Sequence, residues 1–456
     1  MTTFIKKKYI TFSLYQALFL IGATIYTILV AFESTRLPFL SSIFAVFVLT
    51  TFFMKREWII PAIFASFFIP FSISVVGVVL RPADFLLGLA FIILLLDYSL
   101  NGGQNFKAFP YHKTIILFIL ATLLSLLKAR HVWDSISDIV QVIEFYIIGG
   151  LVFANYLNEK ILKQVSVICI SGILAQDIFV IPAFIKAERF WGWTGSAFPY
   201  IGIFAALLTY HGIIYFKGKR RLMSVMAFIM IWLGLLASCT RSAWLSTLTG
   251  ILLANFVQSR ALFWKSIAVV IIIVMLLIIF SPVVIRERIQ SIVDFHYFSN
   301  VSRFFLIYSA WNAFIENPLT GVGIKNFHQQ LPDFLPLAAR YLPEERKQTI
   351  AQEIIDGAGA HNMYLEILGE LGALGFIAII YLMFMSLRDS RRNLKNSFSI
   401  YKKIRNSCVY ACLIAFYMMA FFVPGIHVRI EFTIFWIFLL ASITNESHRK
   451  KMLTTE

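Results

Sequence analysis

Leu262 to Ser281 reads LFWKSIAVVIIIVMLLIIFS, with one lysine in twenty residues and no alternation of polar and apolar positions. A helix rises about 1.5 Å per residue, so about twenty such residues match the roughly 30 Å hydrocarbon core of a bilayer. A membrane barrel strand is instead about ten residues long and alternates in polarity. The run is therefore a transmembrane helix, and it is one of many. Apolar runs of similar kind fall at 11–32, 37–54, 58–79, 85–98, 114–127, 136–157, 161–185, 199–216, 222–239, 242–257, 361–386, 407–424 and 430–445. The expected fold class is all-α, a polytopic integral membrane bundle with 12–14 transmembrane helices. Composition agrees: the chain is 59% hydrophobic and 14% charged, whereas soluble domains are nearer a quarter charged.

The net charge of +16 would suggest nucleic acid in a soluble protein. Here Lys and Arg concentrate in alternate loops, as at Lys6-Lys7-Lys8, Lys217 to Arg221 and Arg388 to Arg405, which the positive-inside rule assigns to the cytoplasm. No nucleic-acid partner is expected, and both termini are expected inside. Thr11 to Phe32 is too long for a signal-peptide core, so it is read as a retained first helix. Cys169, Cys239, Cys408 and Cys412 all lie in apolar runs and read as small buried hydrophobes.

One long segment, 282–360, interrupts the spans on the outer face. Arg303 to Glu316 places Phe304, Ile307, Tyr308, Trp311, Phe314 and Ile315 at helical spacings, and Asn317-Pro318 should stop that helix. Leu319-Thr320-Gly321-Val322-Gly323 reads as a turn, and Pro343-Glu344-Glu345 as another helix start. The expected organisation is an N-terminal bundle at 1–281, a helical loop at 282–360 and a C-terminal part at 361–456.

Charged groups near a bilayer are costly, so their positions are informative. Arg241 sits between two apolar runs with almost no loop, as an interfacial anchor or an anion site. Arg303 opens a helix, where its charge opposes the dipole. Arg189 lies in an aromatic, glycine-bearing loop that suits a carbohydrate or a lipid headgroup, or an aromatic belt. His361 can take a proton near neutral pH, and Asn362, Glu366 and Glu370 share one face of the helix that follows. Glu144 and Asp177 fall deep in their spans, as functional acids or as a structural pair. Arg81 and Asp84 flank Pro82 and read as an ion pair. No Asp-x-Asp, P-loop or His-Glu-x-x-His motif is present, which argues against a sugar-nucleotide enzyme, a nucleotide hydrolase or a zinc protease. No metal and no cofactor are expected.

Three patches together resemble the O-antigen ligase and polymerase superfamily. They are Ser238-Cys239-Thr240-Arg241-Ser242-Ala243; Arg303 through Asn317-Pro318-Leu319-Thr320-Gly321-Val322-Gly323 to Phe327; and His361-Asn362, nine residues, then Gly372-Ala373-Leu374-Gly375. The Arg189 loop through Gly192, Gly195 and Pro199 is a looser fourth match, with Tyr200 where an asparagine is common. The resemblance covers about 185–380. It implies a metal-independent, inverting glycosyltransferase in the bacterial inner membrane, working at the periplasmic face in lipopolysaccharide or other surface polysaccharide synthesis. The donor it implies is an undecaprenyl-diphosphate-linked glycan; the acceptor is lipid A-core for a ligase or a lipid-linked repeat unit for a polymerase, with protein as a third type. Arg241 and Arg303 would hold the diphosphate and His361 would orient or deprotonate the acceptor. Arg189, Asn362, Glu366 and Glu370 would line the substrate site. The alternative from another class is a secondary transporter using Glu144 and Asp177 as coupling sites.

Overall fold

A computed structural model of the 456-residue chain describes residues 58–100, 107–339 and 361–423, apart from short gaps within them. The expected spans at 11–32, 37–54 and 430–445, and the helix expected at Pro343, lie outside the described residues. The helices in order are α1 (Ile59–Ser66), α2 (Pro82–Leu100), α3 (His112–Ser125), α4 (Val132–Tyr156), α5 (Glu159–Asp177), α6 (Phe198–Tyr215) and α7 (Gly218–Ala237). They continue with α8 (Arg241–Gln258), α9 (Arg260–Phe280), α10 (Val283–Gln290), α11 (Phe298–Glu316), α12 (Phe327–Ala339), α13 (Met363–Lys395) and α14 (Ile400–Met419). Among the described residues, α2, α4, α6, α7, α9 and α13 are long and apolar enough to cross a membrane. The chain is a polytopic helical membrane protein.

The expected span 58–79 is not one helix. α1 stops at Ser66, and β1 (Ile73–Val75) pairs antiparallel with β2 (Val78–Leu80), with Ile73 opposite Leu80 and Val75 opposite Val78. The sequence explains the break: Pro70 cannot continue a helix, and a run of β-branched residues flanks Gly77. This hairpin is the one departure from an all-α fold among the described residues. Other boundaries move too. α5 ends at Asp177 rather than 185, and α13 runs on to Lys395. The Arg81–Pro82–Asp84 corner is a helix cap: Arg81 N–H donates to Asp84 Oδ2 at 2.7 Å, the carboxylate half of a capping box, with Pro82 opening α2.

α6, α8 and α14 form the centre of the bundle. Small residues let them approach: Ala205, Ala206, Ala243, Ala254, Ala411 and Ala415 are fully buried, and a Cβ on Gly250 would lie 2.8 Å from the Ala411 carbonyl oxygen. α13 packs against α3, α11 and α14. α9, the run quoted first, packs on α8 and has no buried residue. A helix that is apolar all round and unburied by protein faces lipid.

The segment after α11 is clamped from two sides. α13 is broken at Gly372, whose φ of 65° and ψ of −164° are not helical. Ala373 N–H then donates to Pro318 O at 2.8 Å, while Val322 and Gly323 N–H donate to Gly369 O at 2.9 Å and Glu370 O at 3.1 Å. The turn thus takes over hydrogen bonds that an unbroken α13 would make with itself. Contact is backbone to backbone: a Cβ on Gly372 would sit 2.4 Å from Leu319 O, and one on Gly321 would sit 2.2 Å from the Glu370 carbonyl carbon. On the other side Ile324 N–H donates to Ser125 Oγ at 3.1 Å, Asn326 Nδ2 donates to Ser135 Oγ at 2.7 Å, and Lys325 pairs with buried Asp138 at 3.0 Å. A small second core, Phe305, Leu306, Ala310, Ala313, Val322, Phe327, Leu331 and Phe334, ties α11 and α12 to this turn.

Candidate functional site

The Ser238-Cys239-Thr240 turn joins α7 to α8 in so little chain that Cys239 takes a left-handed conformation (φ 52°). Such a φ in a non-glycine residue marks a turn held by its surroundings. Two arginines hold this one. Arg189 Nε donates to Ser238 O at 2.8 Å, and Arg288 Nε donates to Cys239 O at 3.0 Å. The backbone beside Arg189 follows, with Phe190 N–H on Ala237 O at 2.9 Å. Arg241, the first residue of α8, reaches the opposite way: its Nη1 donates to Ser291 O at 2.6 Å, and Asn300 Nδ2 shares that carbonyl at 2.8 Å. Arg241 and Arg288 therefore staple the α7–α8 turn and the end of α10 to each other reciprocally.

Arg303, on α11, has its guanidinium 5.9 Å from the ring of Phe422, just past the end of α14. His361 lies near that end of α14, because Met363 N–H donates to Ala420 O at 2.8 Å. His361 is also left-handed (φ 48°) and precedes Asn362, which caps α13 by accepting from Leu365 N–H at 3.1 Å. Electrostatics connect these groups. Burial and the charge of Arg288 lower the pKa of Arg303, with Tyr200 working the other way. Burial and Arg288 lower the pKa of Arg189 as well. Burial and the Arg303 charge lower the pKa of His361 below its ordinary 6.5, and Glu366 partly offsets them. The imidazole is thus held neutral, and so able to accept a proton, to lower pH than a free histidine. The positive charge of Arg288 repels both Arg189 and Arg303, and a bound polyanion would relieve that repulsion.

The structure therefore sets Arg189 and Arg303 near Arg288, sets His361 near Arg303, and ties Arg241 to the same corner through Ser291. Arg288 was missed in the sequence. Its signal was present, an arginine just after a span in Val283-Val284-Ile285-Arg286-Glu287-Arg288, but Glu287 beside it makes the run look like ordinary surface charge. Tyr200 acts on both Arg189 and Arg303 and belongs to the same corner. Glu366 is 3% exposed and acts on His361. Glu370, 2% exposed, faces elsewhere: its Oε1 accepts from Phe327 N–H at 3.3 Å, at the start of α12. Glu144 lies in a π-helical turn of α4, Ile143–Gly149. Asp177 is fully buried, and neither of its oxygens has a hydrogen-bond partner among the described residues, so the two acids are not a structural pair.

A multi-pass helical membrane protein with arginines and a histidine gathered at one corner of the bundle is the class these features define. Residues 225–380, about a third of the chain, match the family model described as O-Antigen ligase. The match supports a likeness to the O-antigen ligase superfamily and a ligase- or polymerase-type role in polysaccharide biosynthesis. The match contains Arg241, Arg288, Arg303 and His361 and leaves out Arg189. No curated protein matches the chain.

Proposed function

We propose that the protein transfers a glycan from a polyprenyl-diphosphate donor to an acceptor hydroxyl at the membrane face that carries segment 282–360. The observation that carries this reading is the position of Arg303, close enough to feel the charge of Arg288 and to act on His361. In the proposed reaction the acceptor oxygen attacks the anomeric carbon as the carbon–oxygen bond to the diphosphate breaks. The electron pair leaves with the diphosphate, where Arg303, Arg288 and Arg189 stabilise the growing charge, work that needs no metal ion. The acceptor proton passes to His361, which Glu366 helps orient, and attack opposite the leaving group inverts the anomeric centre. Arg241 acts through Ser291, holding the segment that carries Arg288; Asn362 fixes the approach of His361 through the α13 cap. Glu370 sets α12 over the site. Undecaprenyl diphosphate is the carrier we assign, with lipid A-core or a second lipid-linked repeat as acceptor. The division at 281 and 360, with a core from about 185, suits this reading, with both termini in the cytoplasm and the site in the periplasm of a bacterial inner membrane.

The test is a pH profile of transfer in proteoliposomes loaded with lipid-linked glycan and acceptor. Neutral imidazole is the active base, so the rate falls as pH drops through the His361 pKa. The Arg303 charge lowers that pKa and pushes the acid limb to lower pH. Arg303→Gln removes the charge, so its residual transfer should fall off at higher pH than the wild type. An acid limb at the same pH in both proteins would remove His361 from the proton transfer.

A further inference from the structure

α11 is apolar on two opposite faces. Phe305, Leu306, Ala310 and Ala313 turn inward to the second core. Phe304, Tyr308, Trp311 and Ile315 recur at i, i+4, i+7 and i+11, which places them on one narrow arc of the helix, and they are 56%, 38%, 45% and 58% exposed. A helix standing in water shows polar residues on its outer side; one apolar all round is enclosed by protein or by lipid. Two observations favour lipid. α11 packs against α13, a membrane-crossing helix, closely enough that a Cβ on Gly369 would lie 3.1 Å from Ala310 O. The stripe also runs on to Leu319, 67% exposed, whose carbonyl abuts Gly372, and the outward side of α13 resumes just beyond at Ile377, Tyr381 and Phe384. A tryptophan and a tyrosine in the stripe, with Arg303 at one end and Glu316 at the other, have the makeup of a helix lying at a membrane interface.

We infer that α11 lies along the bilayer surface with Phe304, Trp311 and Ile315 set into the acyl chains of the adjoining leaflet. The segment expected to stand wholly outside the membrane is then half immersed through this helix. Arg303, one residue before the stripe, is held at headgroup depth by it.

Spin labels at Trp311→Cys and, separately, Ile315→Cys in the full-length protein in phosphatidylcholine liposomes test this, with Ile377→Cys as a lipid control and Lys402→Cys as a water control. Unsubstituted protein measures any labelling of the four native cysteines, all of which are buried. The ratio of oxygen to nickel-chelate accessibility at 311 and 315 should match position 377 and exceed position 402 several-fold. A ratio like that at 402 would put the stripe in water. Low accessibility to both reagents would mean that protein, from this chain or a second copy, covers it. Either result overturns the inference. Two label sites guard against one substitution that disturbs the fold.

Discussion

Replacing His361 with alanine is expected to lower glycan transfer by about 10²- to 10⁴-fold, the usual worth of a positioned general base. The loss should fall on kcat, because in the proposed reaction the imidazole acts on the acceptor proton and not on the diphosphate that anchors the donor. Membrane insertion and thermal stability should stay close to the wild type. His361 is half-buried, and α13 is capped by Asn362, not by the histidine. Arg288→Gln should behave differently. It removes a positive charge from the proposed diphosphate-binding cluster and a hydrogen bond from Cys239 O, so the KM for the proposed lipid-linked donor should rise while the pH dependence assigned to His361 changes little. Transfer assayed at several donor concentrations separates the two. Wild-type turnover in His361→Ala would remove the histidine from the chemistry and leave only its place at the start of α13.

Gly372→Val is expected to be the most damaging substitution for the fold. The φ of 65° and ψ of −164° lie in a region that is essentially glycine-only, and a Cβ there meets Leu319 O at 2.4 Å. Strain and overpacking each cost about 1–3 kcal/mol, so a loss of roughly 2–6 kcal/mol follows. Relief requires the 318–323 turn to leave α13, which would carry α11 and Arg303 away from His361. Detergent-solubilised Gly372→Val should lose its monodisperse peak at a temperature well below the wild type. Gly88→Ala is the control, since a Cβ there meets nothing within 4 Å and alanine suits a helix. Equal melting of the two variants would mean the turn does not depend on that close approach.

The bundle was largely legible because hydropathy and helix length are set by the bilayer, one residue after another. α6 through α9 fell within a few residues of their expected ends for that reason. What escaped depended on pairing at a distance. The hairpin at 73–80 escaped because an apolar run of β-branched residues looks like a span until its partner strand is seen. Gly372 was noted only for its spacing from His361, although its conformation is what admits the turn at 318–323. Glu366 and Glu370 looked equivalent at helical spacing, yet one acts on His361 and the other holds Phe327. Arg288 was hidden because a guanidinium near two others can be recognised only once a loop and two helices, α10 and α11, have been brought together.

The reciprocal staple between Arg241 and Arg288 also orders events in time. The chain is made from its N-terminus, so Arg189 and the Ser238-Cys239-Thr240 turn exist before α9 has been threaded into the bilayer. Cys239 O gains its guanidinium donor, and Arg241 its acceptor on Ser291, only when residues 288–291 emerge on the far side of that helix. The corner stays open through the insertion of one more span. A nascent chain truncated after Phe280 should therefore leave Arg241 more accessible to an arginine-modifying dicarbonyl than one extended past Ser291, so the α7–α8 corner closes only after α9 is in place.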